Sequence, residues 1–142
     1  MKKYILVIPA RYKSSRFPGK PLTDILGMPM IQRVYERCLK AVKNEFIYIA
    51  TDDSRIKLIC EDFGANVVMT SKDCLTGTDR VSEVALKIQA EYYINVQGDE
   101  PLFNPLDITK VIESINLYKG EIINGYCDIE LEDDFLSLSI PK

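Results

Sequence analysis

The chain has no histidine among its 142 residues. That absence excludes Ser-His-Asp and Cys-His catalysis within it, and with them the usual histidine-bearing zinc sites. Chemistry would fall to carboxylates, lysine, arginine, hydroxyls and a hard metal ion. The four cysteines, Cys38, Cys60, Cys74 and Cys127, are widely spaced and form no C-x-x-C pair. Three lie in apolar or helical patterns, so reduced core thiols in a cytoplasmic protein are expected rather than disulfides or zinc. No apolar run approaches the roughly 20 residues of a membrane span. The stretch after Lys2-Lys3 is broken at Pro9 and Arg11, too soon for a signal peptide. The G-x-G-x-x-G fingerprint of dinucleotide sites is missing. Gly19-Lys20 is not a Walker A ending either, because Pro21 follows and Ser14 stands where the first glycine belongs. There is no repeat, low-complexity tract or linker. With 18 basic and 21 acidic residues the net charge is −3, so no basic surface dominates and general nucleic-acid binding is not expected.

What is present fits one ordinary domain, 46% apolar and 27% charged. Strand and helix patterns alternate. Tyr4–Ile8 reads as a buried parallel strand. Pro29 opens a helix carrying Ile31, Val34, Tyr35, Cys38 and Val42 on one face. Phe46–Ala50 is the second strand, ending at Thr51-Asp52-Asp53. Asp53 or Ser54 caps a short helix with Ile56, Ile59, Cys60 and Phe63 inward, stopped at Gly64. Asn66–Met69 is a third strand. Thr78 or Asp79 caps a helix with Val81, Val84, Ala85 and Ile88 inside, and Tyr92–Val96 is the fourth strand. Asn104-Pro105 starts a helix built on Ile108, Val111, Ile112 and Ile115 and stopped by Gly120, and residues 121–127 read as a further strand. This alternation implies a Rossmann-like three-layer αβα fold with a mostly parallel sheet and right-handed crossovers. In such folds ligands bind beyond the carboxyl ends of the strands. The loop 11–20, Thr51-Asp52 and Gln97-Asp99-Glu100 should therefore open onto one edge.

The loop after the first strand carries the strongest chemical signal. Arg11, Lys13, Arg16 and Lys20 fall within ten residues with no acid among them, beside two serines and Gly19. Guanidinium forks and an ammonium suit a polyphosphate, although a solvated basic loop has the same composition. Asp99 and Glu100 lie in a Gly-Asp-Glu-Pro turn, where a carboxylate can hold Mg²⁺ or be an ordinary turn acid. Helix capping accounts for one of Asp52 and Asp53. Arg80 falls in the first turn of a helix, where the macrodipole disfavours a cation, which hints at an anionic or polar group nearby.

Four segments together resemble the CMP-Kdo synthetase (3-deoxy-manno-octulosonate cytidylyltransferase) family: residues 8–22 (IPARYKSSRFPGKPL), Ala50-Thr51-Asp52, residues 77–80 (GTDR) and residues 95–101 (NVQGDEP). Order and spacing match over nearly the whole chain. The Arg-Tyr-x-Ser-Ser-Arg form of the first loop points to this branch rather than to sialic-type relatives, whose loop is richer in glycine.

The resemblance implies a nucleotide-diphospho-sugar transferase type of fold and transfer of CMP from CTP to the anomeric hydroxyl of 3-deoxy-manno-octulosonate, for lipopolysaccharide precursor synthesis. It puts Arg11 and Lys20 on the CTP phosphates as catalytic groups, with Ser15 and Arg16 assisting. Pro9, Ala10, Thr51, Asp52 and Arg80 would frame the nucleoside and help select cytosine. Asp99 would hold Mg²⁺, and Gln97 would touch the sugar acid. Family members are longer chains whose second half supplies a further metal-binding aspartate, much of the sugar site and homodimer contacts. Residues 136–140 also read as the start of an element just before the chain stops at Lys142. The expectation is that residues 1–142 are the N-terminal nucleotide-binding part of a longer cytidylyltransferase. Two alternatives stay open: a nucleotide-binding fragment without catalysis, and a cytidylyltransferase for a related sugar acid, 8-amino or sialic-type.

Overall fold

The computed structural model describes residues 1–14 and 16–125. Its strands are β1 (Lys2–Ala10), β2 (Ile47–Thr51), β3 (Asn66–Met69) and β4 (Ala90–Asn95), all parallel, in the spatial order β3-β2-β1-β4. Its helices are α1 (Met30–Leu39), α2 (Ser54–Asp62), α3 (Gly77–Lys87) and α4 (Pro105–Leu117). β1 is central because its apolar run has no polar face to turn to solvent. Leu6, Ile8 and Ala10 enter one packed layer while Ile5 and Val7 enter the other, the period-2 alternation of a strand covered on both sides. The first layer collects Ile31, Val34 and Cys38 from α1, Ile56 and Cys60 from α2, and Ile108 and Ile115 from α4. The second collects Val84, with Val81 and Ile88 packed against it, from α3. Helices thus cover both faces of the sheet, as expected. Each buried isoleucine or valine contributes roughly 1.5–3 kcal/mol.

The succession of strands runs outward from β1 through β2 to β3, then returns to place β4 on the other side of β1. β1 and β4 are paired from Lys2↔Ala90 to Val7↔Asn95. The loops leaving their carboxyl ends therefore open side by side, where the strand order reverses and such folds place their ligands.

Several boundaries differ from the sequence reading, each for a local reason. Phe46 lies in a short 3-10 turn, Asn44–Phe46, and its ring meets Tyr4 at 5.3 Å rather than extending β2. α1 ends before Val42, which stays buried by bonding its amide to the Cys38 carbonyl. α3 begins two or three residues earlier than a cap at Thr78 or Asp79 would allow. Thr76 is its cap, accepting from the Asp79 amide while the Asp79 carboxylate accepts from the Thr76 amide, a reciprocal box that satisfies two otherwise unpaired donors. β4 starts at Ala90, where the Tyr93 hydroxyl accepts from the Ala90 amide and donates to the Ile88 carbonyl. Asp53 caps α2 and Asn104 caps α4. Residues 121–125 carry no strand, and the rest of the strand expected over 121–127 lies outside the described residues, as do Cys127 and residues 136–140.

Cys38 and Cys60 are buried and free, and burial pushes both thiols up from 9.0 to about 12. Cys74 is free and half-buried. No helix among the described residues is long and apolar enough to cross a membrane.

Candidate functional site

A cleft of about 440 Å³ opens at the carboxyl ends of β1 and β4. Its floor is backbone. Pro9, the next-to-last residue of β1, lies between two glycines: a Cβ on Gly98 would lie 2.6 Å from the Pro9 carbonyl oxygen, and one on Gly77 would lie 3.1 Å from the Pro9 ring. No side chain fits at Gly98 without moving main chain. The close approach lets the β4 loop and the α3 N-terminus converge on the end of β1.

The cationic loop forms one wall. Arg11, Arg16 and Lys20 all line the cleft, with Ser14, Phe17 and Pro21 between them. Gly19 adopts the left-handed conformation, φ 74°, which turns the chain so that Lys20 begins a 3-10 turn facing inward. The Arg11 guanidinium donates to the Leu75 carbonyl at 3.3 Å. Opposite, Gln97 and Asp99 line the cleft from the β4 loop. Lys20 Nζ donates to Asp99 Oδ2 at 2.6 Å, and the two side chains remain 41% and 50% exposed.

A second acid–base pair lies deeper. Arg80, whose side chain is only 3% exposed, donates from Nη1 to Thr70 Oγ1 at 2.5 Å and to the Ser71 carbonyl at 3.3 Å. The same nitrogen stands 3.6 Å from Asp52 Oδ1, too far for a hydrogen bond. That oxygen is buried with no hydrogen-bond partner among the described residues. Asp52 thus neutralises Arg80 across a gap and keeps a free acceptor. The cation in the first turn of α3, unfavourable by its helix position, is compensated by this carboxylate.

The structure therefore brings Pro9, Ala10, Arg11, Arg16, Lys20, Arg80, Gln97 and Asp99 to one cleft. Thr51 and Asp52 do not line it. Thr51 is fully buried, its Oγ1 accepting from the Asp53 amide, and Asp52 meets the cleft through Arg80. Ser15 lies outside the described residues. Sequence reasoning missed Ser14, Thr76, Gly98 and Met30 as lining groups. Thr76 was legible from its spacing to Asp79, whereas Met30 and Gly98 reach the site only through packing.

The donor set fits a hard divalent cation. Asp99 is a half-exposed carboxylate beside the cationic loop. One carboxylate matches what Mg²⁺ asks of a protein, since that ion takes one or two carboxylates and completes its shell with phosphate oxygens and water; among the described residues there is no group of three or more metal-binding side chains.

A parallel sheet with a cation-lined cleft where the strand order reverses is a ligand-binding α/β architecture, its cations suited to an anionic ligand. The sequence profile of the family described as Cytidylyltransferase matches residues 5–122, so the chain belongs to the cytidylyltransferase family. Among relatives, it is 49% identical over 115 residues to the 3-deoxy-manno-octulosonate cytidylyltransferase of Escherichia coli, covering 81% of this chain and 47% of that protein. It is 54% identical over 121 residues to the 8-amino-3,8-dideoxy-manno-octulosonate cytidylyltransferase of a Shewanella species, covering 82% and 49%. Among solved structures, a CMP:2-keto-3-deoxy-manno-octonic acid synthetase complexed with CTP superposes with a TM-score of 0.79 at 46% identity, over 84% of this chain and 49% of that one. A cytidylyltransferase from Leptospira borgpetersenii shares the fold, with a TM-score of 0.74 at 21% identity. The chain spans about half the length of the curated relatives it matches.

Proposed function

We propose that this chain supplies the nucleotide half of an enzyme that transfers CMP from CTP to the anomeric hydroxyl of 3-deoxy-manno-octulosonate, releasing pyrophosphate. The observation that carries the reading is the meeting of Arg11, Arg16 and Lys20 with Asp99 in one cleft, within the residues 5–122 that match the Cytidylyltransferase family. In the reaction the sugar hydroxyl oxygen bonds to the α-phosphorus, the bond from that phosphorus to the bridging oxygen breaks, and the hydroxyl proton is released. The chemistry asks for alignment and neutralisation of charge more than for a strong protein base, in keeping with a chain without histidine. Arg11 and Lys20 bind the phosphates, with Arg16 and Ser15 assisting. The Pro9-Ala10 backbone and Arg80 frame the nucleoside, and Asp52, behind Arg80, balances its charge. Gln97 faces the sugar acid. Asp99 would hold Mg²⁺, which supplies further neutralisation of the phosphates when bound. On this reading the reaction belongs to cytoplasmic synthesis of lipopolysaccharide precursors, and a protein of the relatives' full length would be a homodimer.

A second reading, an 8-amino-3,8-dideoxy sugar acid as acceptor, is favoured by the relatives of that name. Calorimetry with CTP on this chain tests the nucleotide site, and absence of binding would defeat it. Pyrophosphate release by a full-length protein carrying this sequence, assayed with each sugar acid in turn, decides the acceptor.

A further inference from the structure

Arg55 lies outside the cleft, in the first turn of α2, a place where the helix macrodipole disfavours a cation. Two contacts account for it. Its guanidinium forks onto Asp53, Nε to Oδ1 at 2.9 Å and Nη2 to Oδ2 at 2.7 Å, the bidentate form of the strong carboxylate contact. The Asp53 carboxyl is accordingly held below its ordinary value, chiefly by that fork. The guanidinium carbon also stands 3.3 Å from the centre of the Tyr12 ring, stacked on its electron-rich face.

Tyr12 is the residue on which the cationic loop closes. Its carbonyl accepts from the Gly19 amide at 2.8 Å. Its ring lies so near the Gly19 main chain that a Cβ there would come within 3.1 Å. Arg11 immediately precedes this aromatic and Lys20 immediately follows this glycine, and both line the cleft. One ring thus sets both ends of the loop, and α2 grips that ring from outside.

We propose that Arg55, braced by Asp53 against Tyr12, is a positioning residue that holds the 11–20 loop in the shape in which its cations meet a nucleoside triphosphate. The proposal rests on the nucleotide reading for its ligand but not for the clamp itself. Asp53 also caps α2, so the clamp is tested at Arg55 and Tyr12, which leaves that cap in place.

The test is made on this chain with two readouts. CTP and inorganic tripolyphosphate are titrated by calorimetry into the parent chain, Arg55→Met, Tyr12→Leu and Tyr12→Phe. Trypsin cleavage after Arg16 is timed in the same set, with denaturation midpoints measured alongside. Arg55→Met and Tyr12→Leu are expected to weaken both ligands about fivefold or more and to speed cleavage after Arg16 by a similar factor. The Arg55→Met midpoint should stay near that of the parent, and Tyr12→Phe, which keeps the ring face, should restore both readouts to within about twofold. Unchanged cleavage and affinity in Arg55→Met would overturn the proposal, as would Tyr12→Phe behaving like Tyr12→Leu. If the parent chain binds neither ligand, the nucleotide reading fails, and the cleavage rates still decide whether the clamp orders the loop.

Discussion

Lys20–Asp99 and Arg80–Asp52 stand at the same edge of the sheet, yet the shorter contact, 2.6 Å against 3.6 Å, belongs to the more exposed pair. Distance alone would rank them the wrong way for stability. The exposed pair is screened by water and loses side-chain freedom when it forms, so it is worth at most about 1 kcal/mol. On the function proposed above it is also exchangeable: a triphosphate would take Lys20 and a divalent cation would take Asp99, with little loss to the fold. The buried pair is fixed. Arg80 is held by Thr70 and the Ser71 carbonyl, and removing either charge leaves the other in the interior without compensation. One edge thus carries a rigid buried pair and a loosely held exposed one.

The sharpest way to break this contrast is Arg80→Leu, which leaves Asp52 buried and unpaired. It should lower unfolding free energy in urea by about 3–5 kcal/mol, and a loss under 1 kcal/mol would remove the distinction between the pairs. Gly98→Ala comes next. The added methyl meets the Pro9 carbonyl oxygen at 2.6 Å and should cost about 1–3 kcal/mol by overpacking, again read from urea curves.

Lys20→Ala should divide its effects. CTP affinity should fall by about 1.5–3 kcal/mol, roughly tenfold or more, through a lost charge-assisted contact, while folding stability moves by less than 1 kcal/mol. Equal losses in both would show that the exposed pair is structural.

Alkali probes the buried side more gently. Cys38 and Cys60 have folded values raised to about 12 from 9.0, so their contribution to stability is whole below pH 9 and is lost as pH rises toward 12. Denaturation midpoints should fall across that window, and both thiols should resist alkylation at pH 8 while Cys74 reacts, as mapped by mass spectrometry. The smallest effect is that of salt: raising it to 1 M should leave stability nearly unchanged while weakening CTP binding.

The four strands and four helices were legible because each has an unambiguous apolar period, and β3 was located to the residue from the short run Asn66–Met69. The convergence of the loop after β1 with the turn after β4 was legible too, since both follow the carboxyl ends of parallel strands. Less legible were features set by side-chain geometry. The cap of α3 was placed at Thr78 or Asp79 because a threonine and an acid stand nearest the apolar face, whereas the reciprocal bonds require the pair Thr76 and Asp79. Thr51 and Asp52 were expected at the nucleotide, but their strand ends beneath Arg80, and only that side chain carries on to the cleft. Arg55 gave no signal, because its meaning depends on a tyrosine more than forty positions earlier that only the fold brings to it.

The pinch of Pro9 between Gly77 and Gly98 has a bearing on how this cleft could be re-engineered. Gly98 has no room for a larger residue, because its Cβ would meet the Pro9 carbonyl oxygen at 2.6 Å, and Gly77 has little, because its Cβ would meet the Pro9 ring at 3.1 Å. Attempts to change what the cleft accepts therefore have little scope at its bottom, and substitutions are better spent on a rim position such as Phe17, which lines the cleft and is half exposed.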